Sequence, residues 1–183
     1  MMQLKKAEDD QQIKGVLLKI NSPGGGVTSS DILYRELMAF KERTGKKIFV
    51  QMMDVAASGG YYISLAADHI QAHPTTVTGS VGVITMTADV SELMEKVGVE
   101  MHVYKSGINK DMGSPFKSPS PADREVFDKM VSQLAERFYR LVAEHRRLGR
   151  RADAADSHSK NFQRYRCVEC RAGGFCRLFI GCL

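Results

Sequence analysis

Residues 13–54 read IKGVLLKINSPGGGVTSSDILYRELMAFKERTGKKIFVQMMD. The opening IKGVLLKI is a short apolar run of the kind that forms a buried parallel strand, and the turn residues NSPGGG follow it at once. Between residues 29 and 43 the apolar positions Leu33, Leu37 and Phe40 recur at helical spacing, and Gly45 is placed to stop the helix. KKIFVQMM then returns to β-branched and apolar residues of strand length. The order strand, glycine-rich turn, helix, strand predicts one right-handed βαβ crossover.

Working outward, residues 3–10 read as the end of a helix with Leu4 and Ala7 as its apolar contacts. Downstream, DVAASGGYY at 54–62 puts a lone serine, Ser58, between small residues where the second strand gives way to the helical segment GGYYISLAAD. Residues 69–72 are a candidate short strand. TVTGSVGVITMT at 76–87 reads as a loop into another strand. Residues 90–97 read as a helix capped by Asp89, with Glu92 as capping-box partner and Gly98 as its end. Residues 101–104 form a further candidate strand, and SGINKDMGSPFKSPSP is a loop. Ser120-Pro121 opens the longest helix, whose stripe is Phe127, Met130, Val131, Leu134, Phe138, Leu141 and Val142. Alternating strands and helices argue for an α/β fold around a largely parallel sheet.

A chain of 183 residues with 43% apolar and 26% charged residues is long enough for one α/β domain with a real core. Its formal charge of +5 is concentrated late, in HRRLGRR and KNFQRYRCVECR, which reads as a solvated basic face and not as a nucleic-acid footprint. No apolar run approaches the ~18 residues needed to cross a bilayer. The polar start MMQLKKAEDDQQ does not resemble a signal peptide. The four cysteines, Cys167, Cys170, Cys176 and Cys182, form one C-x-x-C and two wider singles, a poor pattern for zinc, so neither metal nor cofactor is expected. From about Arg151 periodicity is lost. The domain is therefore expected to span residues 1–150, with 151–183 a disordered or frameshifted tail.

A serine that does hydrolytic chemistry needs a base, an oxyanion site and an orienting group. The glycine run 24–26, directly after a strand, can bring backbone N–H groups to a developing negative charge because no Cβ stands in the way. The same run taken alone also fits a plain tight turn, and an isolated serine is more often a packing residue. His69, His73, His102, His145 and His158 all lack the Gly, Ser and Asp company of a catalytic loop, whereas Lys110 in GINKDMGSP has it. A lysine acts as base only when neutral, which requires burial and neighbours to draw a pKa of ~10.4 toward ~7–8. Lys105 and Lys117 flank the same loop and read as surface residues.

INSPGGGV, DVAASGGYYIS, TGSVGVI and SGINKDMGSPF, in this order and at these separations, resemble the signal peptide peptidase A (SppA) family of Ser/Lys peptidases over about residues 10–148. The resemblance implies a Clp protease/crotonase-like fold of repeated ββα units. By position it implies Ser58 as nucleophile, Lys110 as general base, Ser80 as the serine that orients the lysine, and Gly24 and Gly25 as oxyanion glycines. It also implies degradation of cleaved signal peptides and other hydrophobic peptides, a homo-oligomeric ring, a Ser/Lys site completed across a subunit boundary, and the extracytoplasmic face of a bacterial cell membrane. Relative to that pattern, an N-terminal anchor, a further N-terminal strand and the GRVFTGxxALExGLVD-like segment are expected to be missing. A Clp-type Ser-His-Asp site would need a histidine about 25 residues after the serine, and SVGVIT has none. A rival of a different class is a non-catalytic crotonase-like binding or scaffold protein, or an inactive fragment of the peptidase.

Overall fold

The computed structural model describes residues 2–146. Among these, residues 2–82 together with 137–146 form one compact unit, and residues 83–136 form a second.

The first unit contains α1 (Met2–Asp9), β1 (Gly15–Ser22), α2 (Val27–Thr44), β2 (Lys47–Ala57), α3 (Gly59–Ser64), β3 (His69–Ala72) and β4 (Val77–Gly79). The class is the expected one: α/β, with every strand pairing parallel. β2 is the hub. It pairs with β1 along one edge, and on the other it pairs first with β3 over Phe49–Met52 and then with β4 over Val55–Ala57. The β1–β2 register slips after Ile20↔Met52, resuming at Ser22↔Ala56. The Asn21 side chain fills the gap by accepting the Val55 N–H at 3.1 Å.

One face of this sheet is covered. Ile20, Ile48, Val50 and Met52 are buried with Tyr34, Leu37 and Phe40 of α2, Tyr61 and Leu65, and Phe138 of the long helix α5 (Pro121–Arg146). Phe40, Ile48 and Met52 are each 0% exposed, and side chains of this size contribute roughly 1.5–3 kcal/mol apiece when fully buried. The opposite face alternates out of the core, so β1 is not buried on both sides as its apolar run suggests: Leu17 is 62% exposed. Leu33 likewise stays out of the core. The buried line on α2 is Ser30, Tyr34, Leu37 and Phe40, because Leu33 lies a helical step of ~100° from Tyr34. Gly45 ends α2 as read from the sequence, with φ 66° and its N–H donating to the Lys41 carbonyl at 2.8 Å.

The second unit holds α4 (Ser91–Lys96), the first part of α5 and irregular backbone. Three expectations are corrected here. Residues 101–104 form no strand, and of residues 76–87 only Val77–Gly79 pairs, because the rest finds no ladder partner among the described residues; Tyr104 is left 95% exposed. The N-cap of α4 is Val90, with no side-chain cap bond, and not Asp89 paired with Glu92; Asp89, one residue earlier, accepts the Ser91 N–H and Oγ on Oδ1 at 3.1 and 2.6 Å. Helix α5 opens at Pro121 on a reciprocal pair, with Ser120 N–H donating to Asp123 Oδ2 at 3.0 Å and Asp123 N–H to Ser120 Oγ at 3.1 Å.

Candidate active site

Ser58 stands between the last residue of β2 and the first of α3, in a conformation that L-residues seldom adopt: φ is 49° and ψ −116°. Such a backbone persists only where its surroundings hold it. Two hydrogen bonds do so, the Ser58 N–H donating to the Gly79 carbonyl at 2.8 Å and the Ser58 carbonyl accepting the Tyr62 N–H at 2.9 Å. The side chain is half-buried.

The glycine-rich turn after β1 packs onto this serine. A Cβ on Gly24, at φ 116°, would stand 2.8 Å from Ser58 Cβ and 2.9 Å from the Gly59 nitrogen. A Cβ on Gly59 would strike Ser30 Oγ and come within 3.2 Å of the Gly25 nitrogen. Both glycines are therefore fixed by close approach, and Gly24 by its dihedral as well. The turn is held from below by Ser30, whose N–H and Oγ donate to the Gly26 carbonyl at 3.1 and 3.0 Å. Gly24 gives its own N–H to Ser22 Oγ at 3.2 Å. The Gly25 N–H has no acceptor among the described residues, and Gly59, at the first position of α3, carries one of the N–H groups a helix cannot satisfy internally.

Ser80 follows β4 directly. It lies one residue past the Gly79↔Ala57 pair, as Ser58 does on β2, and it too lies at positive φ, 50°. Ser58, Ser80, Gly24 and Gly25 thus share the carboxyl end of one parallel sheet, where open α/β sheets place their ligands. Lys110 belongs to the second unit. It is exposed, and its N–H donates to the Gly107 carbonyl at 3.2 Å.

Sequence reading missed the polar cluster that anchors α3. Tyr62 Oη donates to Asp31 Oδ1 at 2.6 Å, Arg137 Nη2 donates to the same oxygen at 2.6 Å, and Arg35 Nε donates to Oδ2 at 2.9 Å. Burial works to raise the Asp31 pKa, but hydrogen bonds from Tyr62, Arg137 and Arg35 outweigh it and hold the carboxyl at about 2. Burial, then the bond to Asp31, pushes Tyr62 up to about 12. The one signal in the sequence was an acidic residue one position past the buried Ser30 on an otherwise amphipathic helix.

No histidine hydrogen-bonds Ser58 among the described residues. His145 Nε2 meets Tyr34 Oη at 2.7 Å, and His73 Nδ1 meets Thr75 Oγ1 at 2.8 Å. No group of His, Cys, Asp and Glu could hold a metal ion among the described residues, and the four cysteines and the tail from residue 151 lie outside them. No described helix is long and apolar enough to cross a membrane.

A protein of Enterococcus faecium named for signal peptide peptidase SppA is 43% identical over 148 residues, covering 81% of this chain. Protease 4 of Haemophilus influenzae is 34% identical over 149 residues, 80% of this chain, and the chloroplastic serine protease SPPA of Arabidopsis thaliana is 32% identical over 136 residues, 74% of this chain. The chain spans 43%, 24% and 20% of the lengths of those relatives. The sequence model of the Clp protease family matches residues 1–78, the part that carries the parallel sheet and Ser58. With the model of peptidase family S49 matching residues 40–171, the chain belongs to peptidase family S49.

Proposed function

We propose that this chain carries the nucleophile and base of a serine peptidase working by a Ser/Lys dyad. Ser58 Oγ attacks the scissile carbonyl and passes its proton to the neutral amine of Lys110. The carbonyl oxygen becomes an oxyanion. The C–N bond then breaks, the Lys110 ammonium returns the proton to the leaving amine, and the acyl group stays on Ser58. Water, deprotonated by the same amine, releases the acid. Ser80 orients the lysine.

The observation that carries this reading is the close approach of the Gly24-Gly25 turn to a strained Ser58. An oxyanion site needs N–H donors aimed beside the nucleophile and not otherwise engaged. Gly25 and Gly59 supply such donors. Gly24, whose N–H is taken by Ser22 Oγ, serves by letting the turn come close. The names of the relatives support substrates of the signal-peptide type, that is, apolar peptides left after secretion. We extend the reading to a homo-oligomer at the extracytoplasmic face of a bacterial membrane, in which serine and lysine from neighbouring chains meet.

The test is labelling with a fluorophosphonate, which reacts only with an activated serine. A chain extended at both ends to the length of its relatives should label, Ser58→Ala should not, and Lys110→Met should lose nearly all reactivity. Label that survives in Ser58→Ala, or a parent that folds and never labels, would leave a binding or scaffold role as the better account.

A further inference from the structure

The loop that carries Lys110 contains three lysines, and the structure treats them differently. Lys105 Nζ donates to both oxygens of Asp111, at 2.9 and 3.0 Å, and to the Ile108 carbonyl at 3.0 Å. Lys117 Nζ donates to Asp111 Oδ1 at 3.1 Å and lies 3.4 Å from Asp123 Oδ2, which is itself bonded to the Ser120 N–H where α5 begins. One carboxylate, with its side chain only 14% exposed, therefore gathers the lysines six positions before and six positions after it. Between them the backbone runs as tight turns, Lys110 N–H to the Gly107 carbonyl, Met112 to Asn109 and Ser114 to Asp111. Gly113 at φ 77° seals the far side, where a Cβ would stand 3.0 Å from the Phe127 ring.

We propose that Asp111 is the positioning residue of this loop, engaging the ammonium groups of Lys105 and Lys117 so that Lys110 alone is presented without a carboxylate partner. Three ammonium N–H bonds already reach its two oxygens, two of them on Oδ1. Among the described residues no carboxylate lies within ion-pair distance of Lys110. The distinction matters chemically. A carboxylate partner favours the ammonium form, whereas a general base has to reach the neutral amine. The two flanking lysines are thus withheld from the chemistry and used as clamps, and the lysine next to the anchor is left free to act. Hydrogen bonds from Lys105 and Lys117 hold the Asp111 carboxyl at about 2, and the bond to Asp111 raises Lys117.

This inference rests on the reading of Lys110 as the base, and its test is independent of turnover. The full chain is treated with trace acetic anhydride, the acetylation rate of each lysine is read by mass spectrometry, and amide hydrogen exchange is followed in parallel. Lys105 and Lys117 should acetylate about two- to fivefold more slowly than the exposed Lys19 and Lys129, with Lys110 no slower than those two. In Asp111→Asn both flanking lysines should rise to the exposed rate, and exchange over residues 106–116 should quicken about tenfold, with β1 and β2 unchanged. Asp111→Glu should restore slow acetylation, which a mere packing role would not. Should Asp111→Asn unfold the chain, the double variant Lys105→Met, Lys117→Met decides, since it should free the same amides while leaving Lys110 labelling no slower than in the parent. Unchanged labelling and exchange in the variants would overturn the proposal, as would finding Lys110 to be the slow lysine that Asp111→Asn releases. Failure of Lys110→Met to lose serine reactivity would instead sink the base assignment and leave the clamp standing.

Discussion

Gly24 and Ser58 are packed so closely that a methyl group on the glycine would stand 2.8 Å from the serine Cβ. The pair joins the two halves of the proposed chemistry, since the glycine sets where the donor turn lies and the serine where the nucleophile lies. Gly24→Ala should therefore cost about 1–3 kcal/mol of stability, through positive φ and collision together, and should abolish serine labelling in whatever folds. Gly45→Ala is the control. Its φ is also positive, 66°, but nothing lies within 4 Å of the added carbon, so the cost should be about 1–2 kcal/mol with labelling retained. Equal labelling in both variants would separate the turn from the nucleophile.

For the dyad itself, Ser58→Ala and Lys110→Met should each silence the lengthened chain while leaving its circular dichroism unchanged, and Ser80→Ala should be milder because it removes orientation and not the base. The rate should rise with pH as the neutral amine is populated. A limb centred near the ordinary histidine value of ~6.5 would redirect attention to an imidazole. If sites are shared between chains, coexpressing Ser58→Ala with Lys110→Met should restore cleavage that neither has alone. An assembled but silent mixture would place both groups of each site in one chain.

Asp31 should contribute to the acid limb of stability. Its folded pKa, about 2, lies below the ordinary 3.8. Its contribution is therefore complete above ~3.8 and is lost as the pH falls toward 2. Asp31→Asn should flatten that part of the urea-midpoint profile, and at neutral pH it should cost about 1–3 kcal/mol, since it leaves Arg137 and Tyr62 without their charged acceptor. A variant with an unaltered profile below pH ~4 would show that other carboxylates carry the acid limb.

His145 predicts a second, milder step. Burial lowers its pKa below 6.5, opposed by Glu144 and assisted by Lys41. The fold therefore favours the neutral ring bonded to Tyr34. The sign is that of a depressed group, with the contribution intact above ~6.5 and falling as the pH drops through the folded value. His145→Gln should remove the step from thermal melts recorded between pH ~7 and ~5. A step that persists would belong to another histidine.

Much of this protein was settled by local rules that a sequence displays. Turn glycines, apolar periods and the helix stop at Gly45 act within a few residues, so the βαβ unit, the strand at residues 69–72 and the serine at the strand-to-helix junction were legible before any coordinates. Four short motifs were enough to indicate the family. The failures have a common cause, which is that they depend on partners far along the chain. Residues 101–104 have strand composition but no ladder to join, and Leu17 sits in an apolar run whose outer face no described residue covers. Asp31 looked like one more polar residue on a helix until Tyr62 and Arg137, 31 and 106 positions away, converged on it. Likewise, three lysines in one loop are equivalent as letters. Only the folded chain decided that Asp111 takes Lys105 and Lys117, because a carboxylate chooses partners by distance in space, and a string of residues carries distance only along the chain.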